Sequence, residues 1–218
     1  MTSQLLDIHH HGATAPLLDI HHHGATAPSN AVTSFTLGEP MPAGDGLLSA
    51  GIHPWSTETF NDNALADLEH LITGNTRIVA IGETGLDMLR GASVERQMEI
   101  FRAHIELSEQ LRMPLVIHSV HATDRLLQLH KLMHPSQHWV IHGFRSKPAE
   151  AQQLVRHGIY LSFGARFNPD ALAAVPPQFI LAETDESPLT IDEIIRRLAP
   201  VADSDLIAAN TAAFLAPV

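Results

Sequence analysis

The sequence predicts a TIM-type (β/α)8 barrel, and three observations predict it. Eight short runs rich in Val, Ile, Leu and Ala recur along the chain. Amphipathic stretches with helical spacing separate most of them. The runs end abruptly in a polar or ionisable residue, at the strand ends where a barrel gathers its active site. Continuous apolar runs, as opposed to alternating ones, suit strands buried on both faces of a parallel sheet covered by helices. A doubly wound open sheet is the alternative, but no glycine-rich phosphate loop follows the first strand.

The first run lies inside a perfect tandem repeat. LLDIHHHGATAP fills residues 5–16 and recurs at 17–28. Only one copy can be the first barrel strand. If the first copy is the strand, the second becomes an insertion at the rim. If the second is the strand, the first is an N-terminal tail on the opposite face, where extra residues disturb little. That second register leaves eight residues, His23–Asn30, for the return to the next strand. Eight extended residues reach at most about 26–29 Å. That is enough to retrace a strand of six residues at ~3.3 Å each. The second copy is therefore assigned to the strand, with a shortened first βα connection and no helix within it.

The other runs are AVTSFTL (31–37), LLSAGIHPW (47–55), RIVAIGETGLD (77–87), PLVIHS (114–119), HWVIHGF (138–144), GIYLSFG (158–164) and FILAETD (179–185). Between them, residues 92–113 place Met98, Phe101, Ile105, Leu107 and Leu111 at helical spacing, with Ser93 as N-cap and Glu95 in the first turn. Further helices are expected over 62–71, 123–133, 147–157 and 191–198. The 218 residues are expected to form one domain, residues 1–218, with a sizeable core.

Composition narrows the chemistry. No apolar run approaches the roughly 20 residues of a membrane helix. No basic region precedes the first apolar stretch, so a secretory signal is not expected. There is no cysteine, which excludes thiolate metal sites and fits a cytoplasmic location. Histidine occurs 16 times, whereas the lysines are only Lys131 and Lys147. A net charge of −11 argues against a broad basic grip on a phosphate backbone. It leaves room for a nucleic acid held locally.

The strand ends carry Asp-x-His-x-His, His53, Glu83, His118, His142 and Asp185. A core strand gains nothing from an ionisable ending, so several such endings on one rim point to bound metal. In the triplet, the first and third histidines project to one face and can share a cation. These are His21 and His23 in the second copy, or His9 and His11 in the first. The middle histidine points away. Glu83 can bridge two cations with its two oxygens. His and carboxylate donors suit zinc or manganese, and magnesium is acceptable with bound water.

In order, DIHHH, GIHPW, IGETGLD, VIHS, VIHGF and LAETDESP resemble the TatD family of metal-dependent hydrolases, within the amidohydrolase-like barrels. The resemblance runs from the first LLDIHHH to about Leu198. It implies a TIM barrel with two divalent metal ions and phosphodiester hydrolysis, with DNA as the substrate. The implied ligands are His21, His23, Glu83, His118, His142 and Asp185. Asp185 would also act as the base that orients the attacking water, and His53 would contact the substrate phosphate. Many members carry Arg-Asp after the HS dipeptide, where this chain has Val120-His121. Arg145 is then the nearest remaining cation to face an anion. Two other readings stay open: a related amidohydrolase acting on a small ester, lactone or amide, and a non-catalytic metal-binding relative.

Overall fold

The computed structural model describes residues 16–59 and 63–218. All but Pro16 of the first repeat copy, including His9 and His11, lies outside the described residues. Eight parallel strands close into a barrel in sequence order. They are β1 (Asp19–His22), β2 (Ala31–Thr36), β3 (Leu47–Gly51), β4 (Ile78–Asp87), β5 (Leu115–Val120), β6 (Trp139–Ile141), β7 (Tyr160–Phe163) and β8 (Ile180–Ala182). The ring closes through Asp19 of β1, paired with Ala31 of β2 on one side and Ala182 of β8 on the other.

β1 comes from the second repeat copy. Only four residues of the apolar run form strand, so the eight-residue return has a shorter path than a six-residue strand demands. The return is itself held: Ala27 N donates to Ala43 O at 2.8 Å, and Ala43 N donates to Ala25 O at 2.9 Å.

Seven helices fall among the described residues: α1 (Ala64–Thr73), α2 (Val94–Leu111), α3 (Thr123–Met133), α4 (Pro148–Val155), α5 (Pro169–Ala173), α6 (Ile191–Leu198) and α7 (Ser204–Leu215). α2 starts where expected because Ser93 Oγ accepts from Arg96 N, and it stops at Arg112 in the left-handed region. Phe101, Ile105 and Leu107 are buried, while Met98 and Leu111 pack partly exposed against the same core. α6 opens with a capping box between Thr190 and Glu193.

α5 and α7 were not anticipated. The buried face of α7 carries the polar Asn210 and Thr211 beside Ile207 and Phe214, and alanines lie on its exposed side, so it lacks the two-faced pattern that reveals a surface helix. Its Phe214 is fully buried in a separate cluster with Ile20, Val32, Ala80, Val116, Val140 and Leu181. Those six come from six strands of a closed ring, so they fill the lumen. Leu17, Leu47, Val79 and Tyr160, at strand starts, pack partly buried against the same cluster. Phe214 therefore plugs the end opposite the ionisable rim.

Candidate metal centre

The opposite end gathers the predicted residues around one carboxylate. β4 carries Glu83, which is 6% exposed. A Cβ at the preceding Gly82 would meet Val116 O at 2.4 Å, so only glycine allows β4 to run this close to β5. Glu83 Oε1 lies 3.0 Å from His53 Nε2, 2.7 Å from His118 Nδ1 and 2.7 Å from His142 Nε2. Glu83 Oε2 lies 3.4 Å from His21 Nε2 and 3.6 Å from His23 Nε2. The two oxygens thus face different histidines.

The strands explain the aim of each ring. His21 and His23 are two residues apart, and their Nε2 atoms approach to 3.0 Å. His22 turns away, and its Nδ1 meets Thr184 Oγ1 at 3.0 Å. The expectation for the middle histidine holds. His118 Nε2 faces Asp87 Oδ2 at 3.1 Å, and His53 Nδ1 accepts from Trp55 N at 3.2 Å.

Asp185 stands where β8 meets β1. Its amide donates to His21 O at 2.9 Å, and its Oδ1 lies 3.8 Å from His23 Nε2. It adopts a φ of +52°. Aspartate tolerates that region better than most residues, yet such strain is concentrated at functional sites. Arg145 is exposed, three residues beyond His142.

Charge at this rim follows from the geometry. Burial opposes ionisation of Glu83. The charge of His142 and hydrogen bonds from His118, His142 and His21 outweigh it, holding the carboxyl well below its usual range. For His142, burial disfavours the charged ring, but Glu83 and Glu183 raise its pKa well above the ordinary value. Burial lowers the pKa of His21, with the charge of His142 acting in the same direction.

Do these residues fit a metal? The donors are imidazole nitrogens and carboxylate oxygens, and four overlapping sets of three lie within 4.8 Å: His21, His23 and Asp185; His21, Glu83 and His142; His53, Glu83 and His118; His142, Glu183 and Asp185. When His118 donates from Nε2 to Asp87, its Nδ1 presents a lone pair to Glu83 Oε1. Two electron-rich atoms 2.7 Å apart require a proton or a cation between them. The site fits a cation.

Three residues here escaped the sequence reading. Glu183 is buried, accepts from Gly143 N at 2.6 Å and lies 3.8 Å from His142 Nδ1. Its signal was available, since it shares a strand face with Asp185 two positions on. Asp19 accepts from Thr184 N at 3.0 Å and Thr184 Oγ1 at 2.6 Å, tying β1 to the segment that carries Asp185. Its burial raises its pKa from 3.8 to about 7. Asp87 had no signal beyond its place in IGETGLD.

Comparison with known proteins agrees with this architecture. An uncharacterized metal-dependent hydrolase TatD of Mycobacterium tuberculosis is 33% identical over 155 residues, covering 65% of this chain and 58% of that protein. A 3'-5' ssDNA/RNA exonuclease TatD of Cronobacter sakazakii is 31% identical over 147 residues, covering 63% and 56%. The chain thus spans a little over half the length of these curated relatives. Among solved structures, the TatD homologue YjjV of Escherichia coli K12 superposes with a TM-score of 0.71 at 22% identity, covering 86% of this chain and 85% of that one. A TatD family hydrolase of Entamoeba histolytica gives 0.58 at 26% identity, covering 64% and 50%. The family model for TatD related DNase matches residues 25–201, beginning two residues past His23. With most of its length inside that match and the barrel to go with it, the chain belongs to the TatD-related DNase family.

Proposed function

We propose that residues 1–218 act as one metal-dependent hydrolase domain that cleaves phosphodiester bonds of single-stranded DNA. The observation that carries this reading is the two-sided Glu83 carboxylate. Three histidines face one oxygen and two face the other, the arrangement a carboxylate needs to hold two cations side by side. His21, His23, Glu83, His118, His142 and Asp185 would hold them. Divalent cations there supply Lewis acidity at the phosphate and lower the pKa of water. The donor set accepts Mg²⁺, Mn²⁺ or Zn²⁺. Curated relatives of Cronobacter sakazakii and Klebsiella pneumoniae are named 3'-5' ssDNA/RNA exonuclease TatD.

The chain's own groups divide the remaining work. Asp185 has its side chain 39% exposed at the rim, so it can meet water and take the proton that the attacking water gives up. His53, hydrogen bonded to Glu83 at 3.0 Å, would contact the substrate phosphate. Arg145 would balance the anion from the solvent side. Among the described residues no helix is long and apolar enough to cross a membrane.

The test is metal-dependent shortening of 3'-labelled and 5'-labelled single-stranded oligonucleotides. Stepwise loss that stops in Glu83→Ala and Asp185→Asn supports the reading and gives the polarity. A folded, metal-loaded protein that leaves both substrates intact refutes it.

A second reading has one observation in its favour. A groove of about 430 Å³ opens beside His23, lined by Phe35, Pro40, Met41 and Pro42 among others. Its apolar wall suits a small ester, lactone or amide. Metal-dependent turnover of an aryl ester without oligonucleotide cleavage would select it.

A further inference from the structure

Trp55 is the unusual residue at the rim. It is 47% exposed, whereas the other tryptophan, Trp139, is 1% exposed. It sits on a 3-10 turn (Pro54–Ser56) directly after His53, and the two rings meet edge to face at 4.7 Å. Its ring centroid is 5.7 Å from that of His118. An exposed indole normally gains by turning inward. This one is held out.

Three contacts hold it. Trp55 Nε1 donates to Asp87 Oδ2 at 2.7 Å, and the same oxygen faces His118 Nε2. The Arg90 guanidinium lies 4.9 Å from the centre of the indole ring. The loop bearing Arg90 is in turn fixed against the tryptophan turn. A Cβ at Gly91, whose φ is +86°, would meet Pro54 O at 2.4 Å. Buried Gln97 accepts from Asp87 N at 2.8 Å and donates to the carbonyls of Asp87, Arg90 and Ala92. The indole is therefore a rigid aromatic plate beside the metal centre, with a cation on its ring.

We propose that Trp55 stacks on a nucleobase next to the scissile phosphate, with Arg90 bracing the ring and facing the adjoining phosphate. The inference rests on the nuclease reading. Every base has a π-face, so such a plate grips single strands with little regard to sequence. It also supplies local grip that the chain's net charge of −11 does not. A base paired in a duplex offers no free face, so the plate favours single-stranded ends.

Tryptophan fluorescence tests this directly, because Trp139 is buried and a bound base can quench only Trp55. The probe is a short oligothymidylate with cleavage-resistant phosphorothioate linkages, added to the Mn²⁺-loaded full chain. Its binding is followed separately by anisotropy of an attached dye. Quenching that tracks binding is expected, together with weaker quenching by an abasic version. Trp55→Ala is expected to weaken binding roughly 5- to 150-fold, the range for stacking one base. Trp55→Phe should restore much of that loss, and on the cleavable substrate KM should change more than kcat. Binding without quenching, or wild-type affinity in Trp55→Ala, would overturn the stacking role while leaving the nuclease reading intact. Absence of both binding and cleavage would overturn both.

Discussion

The Nε2 atoms of His21 and His23 face each other across 3.0 Å, and both face Glu83 Oε2. Two neutral imidazoles so placed can share one proton or one cation, and only the cation uses both lone pairs. The pair belongs to the second repeat copy, which pairs with β2 through Asp19 and His22. Among the described residues, β1 and its return come from residues 17–30.

Removing residues 5–16 is therefore expected to leave thermal stability and metal affinity unchanged. In that shortened chain, His21→Ala or His23→Ala should each weaken metal binding by more than the roughly 10–100-fold typical of losing an outer partner. Isothermal titration with Mn²⁺ measures both. Because the repeat is perfect, only point changes in the full chain tell the copies apart: affinity lost in His9→Ala and kept in His21→Ala would assign the strand to the first copy.

Asp87 lies outside the cluster, with its Oδ2 at 3.1 Å from His118 Nε2, and accepting from that nitrogen would turn the Nδ1 lone pair toward Glu83 and a cation. Asp87→Asn should lower metal affinity about 10–100-fold without unfolding the barrel. The same titration, beside a thermal melt, separates this from a general loss of stability. An unchanged affinity would show that His118 needs no such partner.

His104 gives the fold a pH dependence. Fully buried, its Nε2 accepts from Ile52 N at 3.0 Å, and its Nδ1 donates to Ile100 O at 2.8 Å. The neutral ring satisfies both. Burial lowers its pKa from 6.5 to about 4. The unfolded chain binds the proton first, so the contribution is present above pH 6.5 and is lost as pH falls toward 4. At about 1.4 kcal/mol per unit, it is worth roughly 3 kcal/mol across that window. His104→Gln, whose amide can accept and donate in the same directions, should remove that part of the pH dependence in urea titrations with chelator present. Equal slopes would assign the dependence to the rim histidines.

Phe214 closes the lumen far from the metal. Phe214→Ala should cost about 3–5 kcal/mol of unfolding free energy, the usual range for a buried ring. Metal affinity should hold at temperatures where the variant stays folded. A large loss of affinity in the folded variant would mean that the two ends of the barrel are coupled.

What could be read in advance follows from these particulars. All eight strands were legible because a parallel barrel buries both faces, so IVAI or WVI is apolar without alternation. α2 and α6 were legible because each carries an N-cap and one apolar stripe. α7 was not, because polar Asn210 and Thr211 lie on its buried face and alanines on its exposed one, which erases the apolar stripe. The rim residues were visible as ionisable strand endings. Glu183 shared a strand face with Asp185 and could have been read from it. Asp19, Asp87 and Trp55 were not visible, because their roles lie in contacts between segments that are distant in sequence. His22 and Thr184, 162 residues apart, illustrate the point.

The central claim is that Glu83 holds two cations, one toward each oxygen. Metal content of the purified, Mn²⁺-saturated chain, measured beside Glu83→Gln, tests it most directly. Two equivalents per chain are expected in the wild type, and no more than one, weakly held, in the variant. One equivalent in both, bound equally tightly, would contradict the claim and leave Glu83 a bystander among its histidines.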